Sequence, residues 1–120
     1  MPQRWKQDVV IPTEAIGASL SPAYDVGGGA TYIGLKMSAA WQAAALSFQV
    51  GNTQAGTFYD LYDEGGTEVT VATPVAATIC SLDALVPYLS QFHYIKVRSG
   101  VTGAHVDQTV ARTLTFIFER

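Results

Sequence analysis

An all-β fold is what this sequence predicts: a single-domain antiparallel β-sandwich, jelly-roll-like, of about eight strands. Short runs alternate apolar and polar residues with period two, and the breaks between them are rich in Gly, Pro, Asn and Ser. No long helical period competes with these runs. At 120 residues the chain is large enough for one core and too short for a catalytic domain plus a binding domain.

The elements follow in order. Residues 1–8 mix Arg4, Lys6 and Asp8 with Trp5 ahead of the first apolar run. They read either as an N-terminal arm that contacts a neighbouring chain through Arg4, Trp5 and Lys6, or as a frayed terminus. The sandwich is then expected over 9–120. Asp8 to Pro12 and Thr31 to Met37 are strands. Between them DVGGGA permits positive φ and a close backbone approach, but completes neither of the glycine patterns of phosphate loops. SAAWQAA at 38–44 is a short helical candidate. In LSFQV, Leu46, Phe48 and Val50 share one face while Ser47 and Gln49 share the other.

Phe58 to Tyr62 and TEVTVAT flank a turn made by Asp63, Glu64, Gly65 and Gly66, as Asp and Gly in a hairpin would. Four carboxylates gather here, Asp60, Asp63, Glu64 and Glu68. Their order does not match an EF-hand loop, and the expected reading is a solvated hairpin end with at most adventitious cation binding. Ala77 to Leu82 is a strand. SLDALVPYL at 81–89 is a second short helical candidate, with Ser81 as cap and Pro87 preventing a long regular helix. In Tyr94 to Ser99, Lys96 and Arg98 alternate with Ile95 and Val97 and so form the outward face of a half-buried strand. RTLTFIFER closes the chain with Leu114, Phe116 and Phe118 on one strongly apolar face.

Composition narrows the function. The formal net charge is −3 and no run of Lys or Arg occurs, so nucleic acid is not an expected partner. Neither an export signal nor a membrane span is read from the sequence. A hydrophobic fraction of 48% with 14% charged residues leaves Thr, Ser, Gln and some apolar groups to face outward, which suits contact with other proteins. Cys80, in an apolar strand, is a small hydrophobe. His93 and His105 lack ligand spacing, and GxSxG, HExxH and SxxK are absent, so neither enzyme activity nor a cofactor or metal is expected. Exposed Trp and Tyr residues offer the one alternative chemistry, stacking on sugars, against the plainer reading that they fill the core or an oligomer interface.

The ordered segments AAWQAAALSFQVG, GTFYDLYDEGG, YIKVRSG and VDQTVARTLTFIFER resemble a group of small tailed-bacteriophage virion structural proteins. The shared pattern falls on Trp41, Phe48, Phe58, Tyr62, Gly65, Val97, Arg98, Ser99, Gly100, Gln108 and Arg112. These positions look structural, and the resemblance implies that Arg98, Gln108 and Arg112 tie loops and strand ends together through backbone carbonyls. It further implies a capsid-bound cement or decoration protein, with a vertex spike, fibre-base or tail component as alternative. Its partners would be the major capsid protein and copies of itself, as a homo-oligomer such as a trimer. Its location would be the virion, assembled in the host cytoplasm. A carbohydrate-binding module for host attachment is the remaining alternative.

Overall fold

Alternation becomes strand wherever one face of a run can be buried. The computed structural model describes residues 4–11, 19–27, 31–108 and 110–119. Ten strands are assigned among them: β1 (Arg4–Ile11), β2 (Tyr24–Asp25), β3 (Thr31–Lys36), β4 (Leu46–Gly51), β5 (Tyr59–Asp60), β6 (Thr70–Val71), β7 (Ile79–Ser81), β8 (Tyr94–Val101), β9 (Ala104–His105) and β10 (Arg112–Glu119). One antiparallel sheet has the order β1-β10-β3-β7, and the other β2-β8-β4-β5 with β6 also on β4 and β9 on β8. The predicted all-β sandwich is the observed architecture. With the two-residue β6 and β9 set aside, every connection except β4 to β5 passes from one sheet to the other.

The core lies between the sheets. Val9, Ile11, Tyr32, Leu35, Leu114, Phe116 and Phe118 meet Leu46, Phe48, Val50, Ile95 and Val97, all buried. Burial of these side chains, about 1.5–3 kcal/mol each, is the main favourable contribution to folding. Tyr32 stands edge-on to Phe118 at 4.7 Å between ring centroids and to Phe116 at 6.2 Å. Its hydroxyl is buried without a hydrogen-bond partner among the described residues, and desolvation raises its pKa well above the usual tyrosine value. Ile33 is the extra residue of a bulge in β3: Ile117 faces Gly34 and Phe118 faces Tyr32.

Several expectations need correction. Residues 4–8 are not an arm. They belong to β1, in unbroken register with β10 from Arg4↔Glu119 to Ile11↔Arg112, and the alternation starts at Trp5 rather than after Asp8. Trp5 and Gln7 are half-buried while Arg4, Lys6 and Asp8 are exposed, so the outward charges hide the period in the sequence. Residues 1–3, Pro12, Gly28, Gly29 and Arg120 lie outside the described residues. Residues 38–44 form no helix. Gln42 is held by Gln108, while the Trp41 indole N–H donates to the Ala44 carbonyl at 3.3 Å, so this backbone serves other partners. The second helical candidate holds as a 3₁₀ turn, Asp83–Leu85, followed by α1 (Val86–Leu89), with Pro87 in its first turn. Ser81 Oγ accepts from the Asp83 N–H at 3.2 Å.

β2 and β9 add to the expected strands. The segment before β2 runs along β8 with a side chain standing in for backbone: Ser21 N–H donates to Val97 O, and Val97 N–H donates to Ser21 Oγ, both at 2.8 Å. The carboxylate-rich stretch is a detour within one strand path. β5 pairs with Gln49 and Val50, β6 pairs with Leu46 and Ser47, and a hairpin leaves the sheet between them. Its neck is closed by Leu61 N–H on Phe48 O and Val69 N–H on Leu61 O, both at 3.0 Å.

Candidate functional site

The side chains singled out from sequence fall into three places. Arg98, on β8, points to the outer face of the second sheet as its strand parity requires, yet it is buried at 8% exposure rather than solvated. The expected outward orientation is observed; what the alternation did not signal is the burial. The hairpin turns back over it. One terminal nitrogen donates to Asp60 Oδ1, and the other donates to Ser47 Oγ at 3.1 Å, to Thr102 Oγ1 at 2.9 Å and to Glu68 Oε2 at 3.4 Å. Glu68 Oε1 also accepts from the Thr102 N–H at 3.1 Å. Gln49 Nε2 donates to Asp60 Oδ1 at 3.1 Å, and Lys96 Nζ sits 4.6 Å over the Phe58 ring beside this cluster.

Two of the four clustered carboxylates are therefore not a solvated turn. Asp63 does belong to the turn: its Oδ1 accepts from the Gly65 and Thr67 N–H groups at 2.9 Å each, and Gly66 adopts φ +83°. Asp60 and Glu68 instead serve as counter-ions for Arg98. The hydrogen bond from Arg98 holds the Asp60 carboxyl below the ordinary aspartate range, against partial burial and with help from Gln49. Nothing in the local spacing of Asp60 and Glu68 signals this; the partner lies on a strand far along the chain.

Gln108 and Arg112 are brought together, as are the loop before β4 and the start of β10. The Gln108 amide is fully used. Its Oε1 accepts from Gln42 N–H at 2.9 Å and from Arg112 Nε at 3.2 Å, while its Nε2 donates to Gln42 O at 3.2 Å and Ser99 Oγ at 3.0 Å. Arg112 also reaches Gln42 Oε1 at 3.4 Å. The expected tie through backbone carbonyls is met here by Gln108 on Gln42 O; Arg98, by contrast, binds side chains. Trp41 is buried at the same end of the sandwich.

The third place is the first sheet. Arg4 pairs with Glu119 at 2.9 Å, Trp5 stacks on Phe118 at 5.2 Å and 22° between planes, and Lys6 lines a shallow depression of about 580 Å³ with Lys36, Asp8 and Ile79. These residues stand together on β1, apart from the Arg98 and Gln108 clusters.

Beside the Arg98 cluster lies an open groove of about 600 Å³, lined by Asn52, Thr53, Tyr59, Asp60, Tyr62 and Phe92 among others. Tyr59 is 68% and Tyr62 46% exposed. Asp60 thus belongs to both groove and cage. Burial raises the Cys80 pKa and disfavours its thiolate, and no group of three His, Cys, Asp or Glu among the described residues is placed to hold a metal ion. No helix among the described residues is long and apolar enough to cross a membrane. What the arrangement offers chemically is fixed polar scaffolding with exposed aromatic and aliphatic side chains around it. Comparison with protein-family models, with curated proteins and with solved structures finds no match.

Proposed function

We propose that the chain is a non-enzymatic virion structural protein of a tailed bacteriophage, acting as a capsid-bound cement or decoration protein through multivalent protein contacts. The observation that carries this reading is how the surface uses its groups. Charged side chains pair within the chain, buried in the Arg98 cage and at the surface in the Arg4–Glu119 pair, while Tyr59, Val75, Ile79 and Val110 are each more than half exposed. A weakly hydrated surface of this kind gains by burial against partners, and many modest contacts add up on a lattice. The sequence resemblance supports the particle assignment. The strand order supports jelly-roll-like connectivity, an architecture that serves viral capsid and lectin domains alike.

The test is quantitative peptide mass spectrometry of purified particles. A copy number that is a regular fraction of the major capsid protein is expected. A far lower number moves the chain to a vertex, fibre base or tail, and absence from particles overturns the reading. A second reading, glycan attachment, is favoured by the groove that exposes Tyr59 and Tyr62. Glycan-array binding abolished by Tyr59→Ala and by Tyr62→Ala would promote it; an array without signal removes it.

A further inference from the structure

β1 is an edge strand with an open side. It is eight residues long, pairs with β10 without a bulge, and has no strand on its other flank among the described residues. Val10 N–H donates to the Tyr24 hydroxyl at 3.1 Å, so it lies outside the ladder with β10. Antiparallel ladders alternate, so the N–H and C=O groups of Arg4, Lys6 and Asp8 face the same open side. The Gln7 side-chain amide donating to Asp8 O at 2.9 Å agrees with this parity.

We propose that this edge pairs with the β1 edge of a second copy of the chain, across a two-fold axis through Gln7. Parity and charge together select that register. Edge-facing residues must oppose edge-facing residues for main-chain hydrogen bonds to form. An axis at Trp5 sets Arg4 against the partner copy's lysine at the same position as Lys6. An axis at Lys6 sets two lysines face to face and gives Asp8 only Arg4 as a partner, which Glu119 already holds, and one at Asp8 sets two aspartates face to face. With the axis at Gln7, Lys6 of each copy opposes Asp8 of the other, twice by symmetry, on the exposed face of the sheet. Each such pair exchanges both main-chain hydrogen bonds, joining two four-stranded sheets into one continuous sheet. The end at Val10, capped by Tyr24, lies outside this bonded centre, and Arg4 keeps its bond to Glu119. The inference stands on β1 alone and does not depend on the particle reading.

The experiment is sedimentation of the purified full chain over about 10 μM to 1 mM, because an edge contact belongs to the small, transient class. A monomer–dimer equilibrium is expected. Lys6→Asp and Asp8→Lys should each weaken dimerisation at least about tenfold, and an equimolar mixture of the two variants, or the double swap, should restore it. In the wild-type chain, amide exchange at Lys6 and Asp8 should slow with rising concentration, a readout that needs no variant to fold. A chain that stays monomeric, dimers insensitive to the swaps, or open-ended oligomers overturn the proposal.

Discussion

Arg98 and Gln108 are both buried polar centres fed by β8, and they are satisfied in opposite ways. Consecutive residues divide the work: Arg98 projects outward into carboxylates and hydroxyls, while the next residue, Ser99, projects inward to the Gln108 amide. The outer centre has an excess of negative charge around one cation. The inner one is organised by an amide that donates and accepts in equal measure. The outer site therefore depends on ionisation, and the inner one on shape and hydrogen-bond geometry.

The largest effect should come from emptying the outer centre. Arg98→Met leaves Asp60 and Glu68 facing each other without their cation and should cost about 3–5 kcal/mol in denaturant unfolding. Adding Asp60→Asn and Glu68→Gln should return part of it. Next comes Gly100→Ala, which perturbs both centres at their shared strand. Gly100 has φ +99°, and a Cβ there would sit 2.7 Å from backbone atoms of Ala104, His105 and Val106. A loss of about 3 kcal/mol is expected, read as a lowered melting temperature. Gln108→Leu should cost about 2 kcal/mol by removing the buried amide that bonds the Gln42 N–H and C=O, Ser99 Oγ and Arg112 Nε.

Acid should separate the two regions most cleanly, with a smaller effect. The folded pKa of Asp60 lies below its unfolded value, so its contribution is complete above about pH 4 and is lost as pH falls through the folded pKa. Melting temperatures of the wild type should therefore fall on the acid side, and Asp60→Asn should flatten that limb. Gln108→Leu should lower the curve without changing its acid slope.

Physical reasons explain which parts of this were legible. β3, β4, β8 and β10 bury one face fully, and their alternation is visible because the hydrophobic effect writes it residue by residue. The start of β1 was obscured because its outward face is charged and its inward face begins with Trp5 and Gln7. β2 leaves no period-two trace because it is two residues long, and in the segment before it Pro22 breaks the run and Ser21 Oγ takes over a backbone role. Strand parity placed Arg98 on the outer face correctly. Its burial depends on Asp60 and Glu68, which lie 38 and 30 positions away. Likewise nothing within 38–44 announces that Gln42 is captured by a residue 66 positions downstream.

The hairpin between β5 and β6 has a practical consequence. Because Leu61, Phe48 and Val69 close its neck while Glu64 and Gly65 stand exposed at its tip, the strand path is complete without the tip's own sequence. A foreign peptide spliced between Glu64 and Gly65 would be carried outward on a sealed stem, leaving Asp60 and Glu68 in place on Arg98. That makes the tip the natural point at which to graft an epitope or affinity tag for display.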